Sequence, residues 1–273
     1  MSNYLQIEIQ IVNFETADIL VADLSEIGFY AFQQEENKLL AYIKEKDFDE
    51  EKVKKVLPDN QNYIKNIIED KNWNQQWESD FQPVIIKDFA AIRADFHKPI
   101  KNVRHDIIIT PKMSFGTGHH ATTFLMVELM ETISFEEKSV LDFGTGTGVL
   151  AILAEKLGAQ KVMAIDNDEW SINNTLENIN ANGCKNILVE KRENLEGMAG
   201  VDIILANINL NVLSQFSSSI KKLMQPRSFL LVSGFLVKDD DRIQTIFDKN
   251  DFVKVSAMER DGWLAVLFRR LVN

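Results

Sequence analysis

The sequence predicts an α/β protein, a seven-stranded and mostly parallel sheet with helices on both faces, preceded by a small α+β domain. Three observations carry this expectation. From residue 139 to residue 250, short apolar runs alternate with stretches of helical periodicity. One apolar run ends in a glycine-rich turn that opens directly into a helix, Ser139-Val-Leu-Asp-Phe-Gly-Thr-Gly-Thr-Gly148. The last two runs, 252–258 and 263–269, flank Asp261-Gly262, and such a hairpin makes the final strand antiparallel.

The elements follow in order. Residues 4–12 alternate, with Ile7, Ile9 and Ile11 on one strand face. Residues 15–26 read as a helix with Ile19, Leu20, Leu24 and Ile27 inward, stopped by Gly28. Residues 29–34 and 38–44 flank a hairpin turn, 48–57 is a short helix ending before Pro58, and 63–68 is a last strand. The order β-α-β-β-α-β is that of a ferredoxin-like domain, expected over 1–70. It holds no catalytic cluster and reads as a recognition or assembly module. Residues 71–84 form a linker in which Trp73 and Trp77 share a helical face, either sealing it against a domain or touching substrate. The larger domain, 85–273, opens with short strands at 84–93 and 105–110 and a glycine loop at 114–123. A helix through 124–130 follows, with Thr122 and Thr123 placed either to cap it or to bond a ligand. After the glycine turn come a helix to Leu157, a strand to Asp166 and a helix at 168–182 with Ile172, Leu176 and Ile179 inward. Strands at 186–190 and 201–206, a helix to Met224, a turn at 225–227, a strand at 229–233 and a helix at 238–250 lead to the closing hairpin.

Composition narrows the function classes. At 273 residues, 45% hydrophobic and 26% charged, the chain suits one or two globular domains. It has no apolar run of membrane-spanning length and no signal-peptide pattern, so a cytoplasmic protein without membrane contact is expected. The single cysteine, Cys184, excludes an internal disulfide framework. His119 and His120 are adjacent and only four histidines exist, so no metal site is expected. The net charge is −11, of which residues 1–80 contribute −9. Nucleic-acid binders carry a basic face. An acidic front end points instead to a basic partner such as a protein, or to nothing more than a solvated surface.

A Rossmann-like sheet binds its ligand outside the carboxyl ends of its strands. Gly144, Gly146 and Gly148 are spaced G-x-G-x-G, whereas a dinucleotide fingerprint needs a glycine where Val149 stands. Asp166 closes the second strand, where a carboxylate accepts both ribose hydroxyls. Together they suggest S-adenosyl-L-methionine, whose amino-acid tail carries no phosphate. Asn207 ends the fourth strand, either as a turn residue or as an acceptor for an incoming amine. Ile208-Asn209-Leu210 has neither the prolines nor the aromatic that planar amino targets call for, which favours an aliphatic amine.

Phe115-Gly-Thr-Gly-His-His-Ala-Thr-Thr123, the Asp142-Phe-Gly-Thr-Gly-Thr-Gly148 turn and Leu205-Ala-Asn-Ile208 together resemble the bacterial methyltransferases that modify the eleventh protein of the large ribosomal subunit. The resemblance spans nearly the whole chain, including the tryptophan-bearing linker. It departs at His119 and Ala121, where the pattern has Thr and Pro. It implies a Rossmann-like methyltransferase sheet and an N-terminal substrate-recognition domain. It also implies cofactor contacts at Thr123, Gly144, Gly146, Asp166 and Asn207, with Asn207 also catalytic. The expected reaction methylates lysine side chains, an N-terminal α-amine or both, on a basic ribosomal protein, without direct nucleic-acid contact. The other readings are a methyltransferase for RNA or a small molecule, and a noncatalytic cofactor-binding protein.

Overall fold

The structure, a computed structural model, describes residues 4–11, 14–35, 37–58, 61–68, 81–112 and 114–272. Trp73 and Trp77 lie outside them. The chain divides between Phe81 and Gln82 into two compact units. Val84, the last residue of the expected linker, begins a strand, as the expected strand over 84–93 does.

The first unit runs β1 (Tyr4–Gln10), α1 (Phe14–Glu26), β2 (Ala31–Glu35), β3 (Lys38–Lys44), α2 (Glu50–Val56) and β4 (Tyr63–Ile68). Its antiparallel sheet has the order β2-β3-β1-β4. The period-two pattern of β1 buries Leu5, Ile7 and Ile9 against Leu20 and Leu24 of α1 and Val53 of α2. The Asp49 carboxylate caps α2, accepting from the Glu51 and Lys52 backbones at 3.0 and 3.3 Å. Ile19, expected inward, is 47% exposed. The buried stripe is Ala17, Leu20 and Leu24, and a helix turns about 100° per residue, so Ile19 falls beside it.

The second unit opens with a three-stranded sheet of β5 (Val84–Ile86), β6 (Ala90–Arg93) and β7 (His105–Ile108). The run expected as one strand over 84–93 breaks at a turn where Lys87 takes φ 52°, so β5 and β6 pair antiparallel. The main sheet contains β8 (Ser139–Phe143), β9 (Lys161–Asp166), β10 (Ile187–Lys191), β11 (Val201–Asn207), β12 (Met224–Leu236), β13 (Phe252–Arg260) and β14 (Trp263–Arg270). Their order is β10-β9-β8-β11-β12-β14-β13. The first five are parallel, and β14 is antiparallel between β12 and β13. Sequence pattern explains the insertion: β14 buries every residue from Leu264 to Phe268, whereas edge strand β13 leaves Val253 and Val255 about half exposed. The turn expected at 225–227 lies within the span of β12. Arg227 takes φ 72°, and the register jumps from Val201↔Met224 to Ile203↔Phe229.

Helices α3 (Ala121–Met130), α4 (Val149–Lys156) and α5 (Glu169–Ala181) pack on one face, joining Leu125, Leu129, Leu150 and Ile179 to the sheet. Helices α6 (Leu210–Leu223) and α7 (Asp240–Asp248) pack on the other through Leu213, Ile220, Ile243 and Phe247. In α5 the expected inward Leu176 is 47% exposed. The buried face is instead largely polar: Ser171, Asn174, Thr175 and Asn178.

Phe247 is fully buried, its ring 5.6 Å from Phe252 and 5.0 Å from Phe268. Phe247→Ala is expected to destabilise the second unit by about 3–5 kcal/mol, the usual cost of emptying such a site. Urea unfolding followed by circular dichroism measures it.

Candidate active site

The three glycines of the turn after β8 have φ of 77°, 56° and 80°. All three are crowded: a Cβ on Gly148 would stand 2.9 Å from Thr175 Cγ2, and the other two are tighter still. A Cβ on Gly146 would stand 2.3 Å from the Phe115 carbonyl oxygen, and one on Gly144 would stand 2.4 Å from Ile208 Cγ2. The turn is pinned to the next strand, the Gly144 and Thr145 N–H groups donating to the Ile165 carbonyl at 2.9 and 3.0 Å. Helix α4 begins at the residue after Gly148, so its free N–H groups emerge at the turn.

Asp166, at the end of β9, is half-buried and organises the same turn. Its Oδ2 accepts from Gly146 N at 3.0 Å and its Oδ1 from Asp168 N at 3.0 Å. Each oxygen keeps a further lone pair. Gly146 and Asp166, separated by 20 residues, are thus brought together.

Thr123 and Asn207 also meet. Asn207 Nδ2 donates to Thr123 Oγ1 at 3.3 Å across 84 residues. Asn207 Oδ1 is buried and has no hydrogen-bond partner among the described residues. Neither threonine caps α3. His120 is the N-cap residue, its Nδ1 accepting from Thr122 N at 3.3 Å, with Thr122 Oγ1 2.8 Å away. The helix therefore starts at Ala121, and Thr123 is left to face Asn207. His119 turns elsewhere, its Nε2 2.9 Å from the Gln82 carbonyl oxygen. Among the described residues, no three of His, Cys, Asp and Glu stand close enough to hold a metal ion.

Two further features escaped the sequence reading. The polar face of α5 ties the turn to the loop before α3. Thr175 Oγ1 donates to the Gly146 carbonyl at 2.9 Å. Asn178 donates to the Thr147 carbonyl at 2.7 Å and accepts from Thr110 N at 2.7 Å. Thr147 completes the lattice, its hydroxyl donating to the Gly116 carbonyl at 2.8 Å and its N–H to that of Phe115 at 3.0 Å. The signal was present as asparagines at intervals of four, Asn174, Asn178 and Asn182. The second feature is Asp142. It is fully buried, accepts on Oδ2 from Thr145 Oγ1 (2.7 Å) and Ala151 N (3.2 Å), and leaves Oδ1 without a partner among the described residues. Burial pushes its carboxyl up to about 7, against the pull of those two hydrogen bonds.

A seven-stranded sheet in this order, with a bare glycine turn after β8, a carboxylate after β9 and a paired asparagine after β11, defines an S-adenosyl-L-methionine-dependent methyltransferase. The family model described as ribosomal protein L11 methyltransferase (PrmA) matches residues 4–271. The chain belongs to that family. It is 39% identical over 260 residues to the ribosomal protein L11 methyltransferase of Bacteroides fragilis, covering 92% of this chain and 93% of the relative. The Chlorobaculum tepidum protein of that name is 36% identical over 279 residues, covering 97% and 96%. The crystal structure of a ribosomal protein L11 methylase from Lactobacillus delbrueckii subsp. bulgaricus superposes with a TM-score of 0.65 at 26% identity, covering 70% of this chain and all of that one.

Asp142 gives a pH prediction. Its folded pKa stands above the ordinary carboxylate value, so between pH 4 and about 7 the folded state holds a proton that the unfolded state has released. Stability contributed by this group is present below pH 4 and is lost as pH rises through about 7. Asp142→Asn is expected to flatten that part of the profile and to raise the melting temperature at pH 8 relative to the parent. Thermal melts from pH 5 to pH 8 test this, and parallel profiles would count against it.

Proposed function

We propose that the chain transfers methyl groups from S-adenosyl-L-methionine to lysine side chains, an N-terminal α-amine or both, on a large-subunit ribosomal protein in the cytoplasm. The observation that carries the amine assignment is the buried, unpartnered Asn207 Oδ1. A buried acceptor without a donor is costly, and an amine N–H entering beside Thr123 satisfies it. The Nδ2 bond to Thr123 fixes which end of the amide faces the newcomer.

The residues fit the cofactor. Asp166 keeps lone pairs for the ribose hydroxyls. Ile208, packed against Gly144, brings the Thr123–Asn207 pair beside the glycine turn, where the amino-acid tail would lie. The bound cofactor supplies a methyl group already activated on a sulfonium, so no covalent enzyme intermediate is needed. What remains for the protein is alignment, which can contribute about 7–11 kcal/mol, and a neutral nucleophile. A lysine with a reference pKa of about 10.4 must lose a proton. Desolvation disfavours its charged form, and Asn207 Oδ1 can hold the neutral amine by a remaining N–H.

Residues 1–70 form the substrate-recognition domain in this reading. Their β-α-β-β-α-β order and the sheet order β2-β3-β1-β4 support a ferredoxin-like fold. Their acidic charge suits a basic protein better than nucleic acid.

Incubation with labelled cofactor and separated ribosomal proteins is expected to label one large-subunit protein. Label on ribosomal RNA alone would overturn the reading. Asp166→Ala is expected to weaken S-adenosylhomocysteine binding by about 10²-fold, the worth of two lost charge-assisted hydrogen bonds. Calorimetry measures it, and unchanged affinity would remove the ribose role. Asn207→Ala is expected to lower kcat by about 10²-fold, the scale of a lost positioned polar group, in single-turnover assays. A chain starting at Gln82 is expected to bind cofactor but to lose protein methylation; normal activity would refute the recognition role of the first domain.

A further inference from the structure

One side chain stands between the two halves of the site. His120 immediately precedes α3, in the loop that runs from Phe115 to Thr123. Its half-buried ring is flanked edge-on by Phe115, centroids 5.1 Å apart, and by Trp263 at 4.7 Å. The two flanking rings are fixed by different parts of the fold. Trp263 opens β14 and pairs with Leu236 of β12 and Arg260 of β13, so the main sheet holds it. The Phe115 carbonyl lies against Gly146 and accepts from Thr147 N at 3.0 Å, so the glycine turn holds it. The His120 ring is wedged between them.

Its polar edge has a second task. Nδ1 accepts from Thr122 N at 3.3 Å, and the His120 carbonyl accepts the first intrahelical bond from Phe124 N at 3.2 Å. Ser, Thr, Asp and Asn are the preferred N-cap residues. Capping alone therefore does not call for an imidazole, whereas aromatic rings on both sides do. The first turn of α3 is also held from outside, by the Arg260 guanidinium 3.8 Å over the Phe124 ring. Within that turn Thr123 Oγ1 accepts from Asn207 Nδ2. Where Thr123 Oγ1 stands depends on where the helix starts, and His120 sets that start.

We propose that His120 is a positioning residue for methyl transfer, with two separable tasks. Its ring registers the loop against the glycine turn beside which the cofactor lies. Its Nδ1 sets the first turn of α3, so that Thr123 orients the Asn207 amide. His120 moves no proton in this scheme. The proposal rests on the methyl-transfer reading above.

The two tasks are separated by two substitutions in the full chain. His120→Phe keeps a ring and removes the capping acceptor; His120→Asn keeps a capping acceptor and removes the ring. Single-turnover methylation of a purified large-subunit ribosomal protein, at saturating cofactor, reads the first task lost. Calorimetry with S-adenosylhomocysteine reads the second. His120→Phe is expected to lower kcat about 10-fold, the scale of a small misplacement, with cofactor affinity within about twofold of the parent. His120→Asn is expected to keep kcat within about threefold and to weaken cofactor binding about 3- to 10-fold, the worth of lost aromatic contacts. In a Thr123→Val background His120→Phe should cost less than about twofold further, because the group it positions is gone. His120→Ala, which removes both features, must show both losses, and it supplies the readout if the Phe chain does not fold. Equal kcat losses in the Phe and Asn chains, or additive effects of His120→Phe and Thr123→Val, make His120 merely structural and overturn the proposal while leaving the methyl-transfer reading intact. A parent protein that labels no ribosomal protein sinks both.

Discussion

Gly146 is the point on which the site depends, because it is held from three directions at once. Its N–H is bound by Asp166, its carbonyl by Thr175, and its α-carbon lies against the Phe115 carbonyl with no space for a methyl group. These partners come from β9, α5 and the loop before α3. A residue with a side chain could not take φ 56° there without displacing that loop. The requirement for glycine is therefore tertiary as well as conformational.

The turn is linked outward by polar groups rather than by apolar packing. Asn178 and Thr147 extend the hydrogen-bonded lattice to residues 110–116. Ile208 extends it by shape, with Gly144 on one side and Gly234 on the other. The glycine turn, the end of β11 and Gly234 of β12 consequently pack as one group. Within it two buried acceptor atoms lack donors among the described residues, Asp142 Oδ1 and Asn207 Oδ1. Such atoms are rare in native proteins and tend to mark function or strain. Here one lies under the turn and the other at the end of β11.

Much of the architecture was legible because its signals are local. Alternation in β1, the all-apolar run of β14 and Asp261-Gly262 each depend on residues that are neighbours in sequence. The same holds for Gly144, Gly146 and Asp166, which belong to a strand-end pattern. Misreadings arose where tertiary contacts reversed a local preference. Leu176 was assigned inward by hydropathy, yet the buried face of α5 is polar because it must bind the backbone of the glycine turn. Thr122 and Thr123 are good capping residues, but His120 caps first and frees Thr123 for Asn207. The 225–227 segment has turn chemistry, and the sheet absorbs it as an irregularity within β12.

By itself the sequence determined the order of the elements, the glycine turn, the carboxylate and asparagine at strand ends, and the acidic bias of the first domain. Each follows from periodicity, from glycine stereochemistry or from counting charges. Only the tertiary structure decided which side chains meet. The Asn207–Thr123 bond spans 84 residues, the Asn178–Thr110 bond 68, and the Asn178–Thr147 bond 31. Hydrogen bonds at such separations leave no local pattern, because their geometry is set by how helices and strands pack and not by the residues between them.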